Sequence, residues 1–150
     1  MTFDAKAIGN AIASRYSSVT PPAGESAIAF ATASLPDEIT NEPALIVYPP
    51  LPGSFSFGPG VRKGVIEFPV RFFLYKTGNA KRNSDLLLSW ASVLYSQVAG
   101  QIQLGLSSYV TWAEVNGFPA LGKIKYSDTE FYGVEFVVGV HVWEAVAAVA

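Results

Sequence analysis

The stretch Val65–Tyr75, VIEFPVRFFLY, decides the fold. Ile66, Phe68, Val70, Phe72 and Leu74 recur at every second position, with Glu67, Pro69 and Arg71 between them, which is the period of a β-strand with one face buried. Pro69 has no amide hydrogen to give to a ladder, so the expectation is an edge strand, or one bulged at that point. An edge strand offers a template to a neighbouring subunit.

Downstream, Asn79–Asn83 reads as a polar turn. Ser84 caps a helix over about Asp85–Ala99, with Leu87, Ala91, Leu94 and Val98 on one side and Gly100 as its stop. Three β segments close the chain. In Tyr109–Val115, Tyr109, Thr111, Ala113 and Val115 alternate against Val110, Trp112 and Glu114. Ala120–Tyr126 is short, and after a turn at Ser127–Glu130 the long segment Phe131–Trp143 has Val134, Phe136, Val138, Val140 and Val142 on one face. Glu135, Val137, Gly139, His141 and Trp143 share the other.

Upstream, Ala44–Tyr48 is a β-branched apolar run closed by Pro49-Pro50. Residues 4–17 form a helix in which Ala5, Ile8, Ile12 and Tyr16 make one stripe, Thr2 or Asp4 caps the start, and Pro21-Pro22 lies beyond the end. Two segments have no clear period. Residues 19–43 read as an extended excursion with a short strand near Ala27–Ala33. Residues 49–64, PPLPGSFSFGPGVRKG, form an irregular loop or hairpin arm carrying Phe55, Phe57, Arg62 and Lys63. The whole, residues 1–150, is one α+β domain: a mainly antiparallel sheet of about four or five strands, two helices packed on one face, and an arm.

Composition points toward association. Half the residues are apolar and 15% are charged, against roughly 25% in an ordinary soluble domain. Surface apolar area on such a chain suits covering by partners. The net charge of −2 gives no electrostatic case for gripping nucleic acid. Cysteine is absent, which excludes disulfides and thiolate chemistry and suits a reducing cytoplasm. Met1–Lys6 lacks the basic start and apolar run of a secretory signal. The apolar stretch Val134–Ala150 is broken by Glu135, His141 and Glu144 and falls short of the ~20 residues that span a bilayer. The expectation is a cytosolic chain with no membrane partner.

Chemistry is sparse. The one histidine, His141, lies in a valine-rich strand, where a structural or surface role outweighs catalysis. No G-x-S-x-G, H-E-x-x-H, EF-hand or phosphate-binding loop occurs. Glu67 and Glu135 have two readings, an acid/base pair across one sheet or, more in keeping with the pattern, Glu67 neutralised by Arg71 or another neighbour. No catalytic, metal-binding or cofactor-binding residue is assigned, and no enzyme is expected. The residues assigned to a subunit interface are Phe55, Phe57, Arg62, Lys63, Glu67 and Arg71. For the two phenylalanines both outcomes stay open: rings folded back as a cap on the core, or anchors inserted into the next subunit with Arg62 and Lys63 at the rim.

The order of parts carries a resemblance. A short helix ends in Ser18-Val19-Thr20-Pro21-Pro22-Ala23-Gly24-Glu25. A strand ends in Val47-Tyr48-Pro49-Pro50, and the arm Phe55-Ser56-Phe57-Gly58 follows. Then come Glu67–Leu74, a second helix, and a closing strand from Tyr132-Gly133-Val134-Glu135-Phe136 to Glu144-Ala145-Val146. Over most of its length the chain resembles the tail terminator proteins of bacteriophages with long non-contractile tails, particularly those of actinobacteria. The resemblance rests on apolar patterns and turns, without a catalytic signature. It implies a structural virion protein that forms a homo-oligomeric ring, a hexamer, at the head-proximal end of the tail tube. There it stops tube polymerisation and joins the tube protein to the head–tail connector or neck protein, while DNA passes through the hole without sequence-specific binding. It also implies a place in the tail and neck of the virion, and in the host cytoplasm during assembly. Within the same class, another neck or tail-completion component or a tail tube subunit fits the composition equally. Outside it stands a small α+β module holding an apolar ligand between sheet and helix.

Overall fold

The computed structural model describes residues 4–51, 54–58, 60–76, 84–98 and 103–145. Two long strands form its axis. β4 (Val61–Lys76) and β7 (Thr129–Ala145) run antiparallel, in register from Val61 opposite Ala145 to Lys76 opposite Phe131. Each carries two shorter strands on its outer side. β2 (Ala44–Val47) and β3 (Ser54–Gly58) flank β4, and β5 (Val110–Val115) and β6 (Ala120–Tyr126) flank β7. β1 (Phe30–Thr32) adds to β2 in the only parallel pairing of the described sheet.

The fold is therefore α+β and the described sheet mainly antiparallel, as the patterns imply, with seven strands and one parallel pairing that makes it mixed. The strands beyond the five clear ones are β1, which falls within the short strand expected near Ala27–Ala33, and β3, which lies in the expected hairpin arm. Both lie in the stretches rich in Pro, Gly, Ser and Ala, where a short strand held by its neighbour leaves little periodic trace. The arm is a hairpin with β4: Ser54 pairs with Val65 and Gly58 with Val61.

β4 is central, not an edge, and Pro69 shows how the expectation failed. In an antiparallel strand the N–H and C=O of one residue point to the same side. The Pro69 carbonyl accepts from the Tyr48 amide and the Glu67 carbonyl from the Leu51 amide, both at 2.8 Å. The donor that Pro69 lacks thus faces the link between β2 and β3, where no ladder runs. On its other side β4 keeps its register with β7 through this point, with Pro69 opposite Val137.

Both helices cover one face of the sheet, and together with it they make the main core. α1 (Ala5–Ser17) begins at Asp4, whose carboxylate accepts from the Ala7 amide at 3.1 Å, and buries Ile8, Ile12 and Tyr16. α2 (Ser84–Gln97) buries Leu87, Ala91 and Leu94, with Val98 just beyond its end. It also buries Trp90, which the stripe read from the sequence omitted and whose ring centroid lies 4.6 Å from that of Phe72. The two helices are joined through Tyr16, whose hydroxyl donates to the Leu94 carbonyl at 3.1 Å. Burial pushes the Tyr16 hydroxyl pKa far up, so it stays a donor. The Gln97 side-chain amide and the Arg15 guanidinium reach the main chain of each other's helix. The turn expected at 79–83 and the helix stop at Ala99-Gly100 fall outside the described residues, as does Thr2.

Two bulges change which side chains are buried. Between Phe73 and Tyr75 the register with β7 slips, leaving Leu74 as the extra residue, so Leu74 and Tyr75 both join the helix-side core. Phe73 faces the other way and forms a second cluster with Ile46, Ile124, Phe131 and Ile39. The slip between Val110 and Trp112 likewise puts Val110 in the core with Ala113 and Val115, and leaves Thr111 exposed. The alternation expected for that strand is out of phase at this point. Gly133, opposite Phe73, has no room for a side chain: a Cβ there would stand 2.2 Å from the Phe72 carbonyl oxygen and 2.6 Å from Ile124.

Gly133→Ala is accordingly expected to lower stability by about 2–3 kcal/mol in urea denaturation, whereas Tyr16→Phe, which removes one buried hydrogen bond without adding bulk, should cost about 1 kcal/mol.

Candidate functional site

The face of the sheet turned away from the helices holds three of the six assigned side chains, Lys63, Glu67 and Arg71. Along β4 it presents Lys63, Val65, Glu67, Pro69 and Arg71, and along β7 Trp143, His141, Gly139, Val137 and Glu135, paired in that order. Trp112 and Glu114 of β5 stand beside His141 and Gly139. At one end the cluster of Phe73, Phe131, Ile46 and Ile124 is covered by the chain around Ile39, and the Tyr126 hydroxyl donates to the Pro36 carbonyl. Burial raises the Tyr126 hydroxyl pKa. The remainder is an open platform whose side chains are only partly shielded.

Its polar groups pair with one another. Arg71 sits 3.6 Å from Glu135 across the strands, and its guanidinium lies 5.0 Å from the centre of the Tyr48 ring. Desolvation raises the Tyr48 hydroxyl pKa, with Arg71 opposing the shift. Glu67 accepts from the Asn116 side-chain amide at 2.9 Å, a bond that spans β7 over Gly139. A Cβ at Gly139 would lie 2.9 Å from the Asn116 side-chain oxygen, so glycine there leaves the channel through which Asn116 reaches. His141 Nε2 is 3.5 Å from Glu114, and its ring centroid is 4.6 Å from that of Trp112.

These contacts settle the readings of the carboxylates. Glu67 is held by Asn116 and Arg71 by Glu135, so the i+4 pairing of Glu67 with Arg71 is replaced by two cross-strand contacts. The register sets Glu135 opposite Arg71 and Gly139 opposite Glu67. Glu67 and Glu135 are therefore offset by four residues, ~13 Å along the strands, too far for an acid/base pair acting on one atom.

The six assigned interface residues do not form one patch. Lys63, Glu67 and Arg71 lie on the bare face. Arg62 has the opposite parity and pairs with Glu144 on the helix-bearing side, in an ion pair whose Glu144 side chain is 4% exposed and whose Arg62 side chain is 37% exposed. Arg62 is thus engaged within the chain while its side chain stays partly exposed. Phe55 and Phe57 occupy β3 at the register positions opposite Gly64 and Arg62; their side chains lie outside the described set. Asn116, Glu114 and Trp112 belong to the platform and were not singled out in the sequence. Only the alternation of Trp112 and Glu114 within one strand pointed to them, and nothing marked Asn116.

No group of three or more potential metal ligands occurs among the described residues, and no described helix is long and apolar enough to cross a membrane. A cleft of about 230 Å³ opens between α1 and the end of β2, lined by Gly9, Asn10, Tyr48, Pro49 and Phe68. It is smaller than the ~300–1,000 Å³ typical of ligand pockets. Broader grooves of about 530 and 470 Å³ run beside the contact of α1 with α2, on the outer surface. No protein-family model matches the chain, and no curated protein is significantly similar to it.

Arg62→Ala is expected to destabilise the protein by about 2 kcal/mol, discounted for the solvent around Arg62, because it strands a buried carboxylate; Arg62→Ala/Glu144→Leu should recover most of that loss in the same denaturant titration.

Proposed function

We propose that this chain is a structural assembly subunit, a tail-terminator-like protein whose copies close into a ring on the end of a phage tail tube. The observation that carries the reading is the bare platform. Val65, Pro69, Trp112, Val137 and Trp143 lie on the sheet face away from the helices and are each partly exposed, in a chain with only 15% charged residues. Apolar side chains left partly exposed among paired charges suit a protein contact. The internal pairing of Arg71 with Glu135 and of Glu67 with Asn116 gives these groups partners before another chain arrives, so covering them leaves fewer polar groups unsatisfied. The order of elements, with its resemblance to tail terminators, supplies the kind of assembly. In this reading the partners are further copies of the chain, the tube protein and the neck protein. No covalent chemistry is involved, and the protein resides in the virion neck after assembly in the host cytoplasm.

A tube subunit or another neck component shares this composition and differs in outcome, since a tube subunit polymerises without limit and a terminator closes and stops. A heterologous contact that closes gives a ring, and one that does not gives a filament.

Light scattering over a concentration series, with and without purified tail tubes, separates these cases. A closed species of about six copies, present alone or formed on tube ends, is expected. Long tubes formed by the protein alone would assign it to the tube, and a monomer that ignores tubes would overturn the assembly reading. Phe55→Ala/Phe57→Ala is expected to weaken association while leaving the thermal unfolding transition in place; loss of the fold would return both rings to the core.

A further inference from the structure

Six large hydrophobic residues are exposed among the described residues: Leu35, Leu51, Leu88, Tyr95, Phe118 and Leu121. Their distribution is uneven. Leu88 and Tyr95 are seven residues apart on α2, two turns, and so lie on one flank of that helix. The Tyr95 ring centroid lies 5.7 Å from that of Phe118 in the link between β5 and β6. Leu121 sits near the start of β6 opposite Val134, on the helix-bearing side and next to α2. Four of the six thus converge on one flank, with exposures of 49% for Leu88, 42% for Tyr95, 55% for Phe118 and 39% for Leu121. Lys123, two residues along the same strand and also exposed, stands at the rim with its ammonium 5.8 Å from the centre of the Tyr132 ring.

Strand addition is not how this flank is used. The outward-facing groups of β6 belong to Leu121, Lys123 and Lys125, because Ala120, Gly122 and Ile124 alternate with them and bond toward β7, where odd-numbered residues such as Val137 face outward from β4. Two of those three outward positions carry lysine, which blunts an edge against pairing. What remains available is a side-chain surface, apolar in the middle and positive at one side.

The same chain presents the complement. Leu35 is 51% exposed, and Asp37 and Glu38 beside it are exposed as well. The segment is fixed on the opposite face of the sheet margin, by Ile39 in the second cluster and by the Tyr126 hydroxyl on the Pro36 carbonyl. An apolar side chain next to two carboxylates fits an apolar patch next to a lysine.

We propose that the flank formed by Leu88, Tyr95, Phe118 and Leu121 is the contact surface for a second copy of this chain, which docks through Leu35, Asp37 and Glu38. The two halves lie on opposite faces of the sheet margin, so one copy uses its patch toward one neighbour and its Leu35 segment toward the other. That is a head-to-tail contact, the kind a ring repeats. The inference rests on the assembly reading above and names the surfaces for it.

Three variants and the unaltered protein test it, each followed by light scattering, with circular dichroism to confirm the fold. Leu88→Asp/Phe118→Asp changes exposed positions only, and is expected to raise the midpoint concentration for association by about 30-fold or more, the scale of hot-spot residues. Asp37→Lys/Glu38→Lys should do the same, and adding Lys123→Glu to that chain should restore association in part, since the charges are then exchanged at every contact. If the unaltered protein associates while Leu88→Asp/Phe118→Asp associates equally well, this surface is wrong and the assembly reading stands. If Lys123→Glu gives no rescue, Leu35–Glu38 is not the docking segment. If the unaltered protein is monomeric at every concentration and ignores tail tubes, the assembly reading fails and takes this contact with it.

Discussion

The pairing of β4 with β7 is the constraint on which the other elements depend. Register runs from Val61 opposite Ala145 to Lys76 opposite Phe131 with one slip at Leu74, and the strands at the β2 margin are too short to stand by themselves. β1 has three residues and β2 four. Such pieces gain stability only when a longer neighbour supplies their hydrogen bonds and a packed face. A shift of one residue between β4 and β7 would turn Phe68, Val70 and Phe72 away from the valines of β7, and the helices would lose the surface on which they pack. The two-layer core follows from that register, since the helix-facing residues of both strands make a continuous floor for Ile8, Ile12, Tyr16, Trp90 and Leu94.

The same register divides a covered face from an open one. On the helix side the ribbon is saturated with apolar contacts, and its one buried charge, Glu144, is held by Arg62. On the other side the ribbon is covered at one end by the chain around Ile39 and bare along the rest. Side chains there are paired across strands, Arg71 with Glu135 and Glu67 with Asn116, so the platform is ordered without a cover. Gly139 matters for that order because the Asn116 amide passes directly over it.

Where apolar residues repeat over many positions, the sequence could be read directly. β4, β7 and α1 lie where Ile66–Leu74, Val134–Val142 and Ile8–Tyr16 place them, because burial on one face forces the period. The misreadings concern residues whose roles depend on a distant partner. Pro69 looked like an edge marker, since its missing donor is local information and the β2–β3 link that makes it harmless is not. Thr111 was put in phase with Ala113 because a bulge leaves no mark in an alternating pattern. The pairing of Arg62 with Glu144 was not legible because Glu144 lies 82 positions away in the chain and meets it only through the register. Trp90 was missed because the stripe on α2 is wider than the single row of residues used to trace it. The apolar flank of Leu88, Tyr95, Phe118 and Leu121 could not be assembled from sequence, as its members come from a helix, a turn and a strand.

Pro69 also bears on the register of β2. β2 bonds to β4 around Ile46 opposite Arg71, and sliding β2 by two residues toward β3 would keep its side chains on the correct faces while setting one of them opposite Pro69. A two-residue slip is the error that side-chain burial alone cannot detect, since period-2 patterns survive it. Proline then moves the missing hydrogen bond from Tyr48, just past the end of β2, to the fully buried Ile46 within it. A residue that looks like a flaw in the longest ladder thus works as a misalignment check, and a protein with Val or Thr in its place would be expected to keep its native contacts while losing some of its ability to reject the wrong ones.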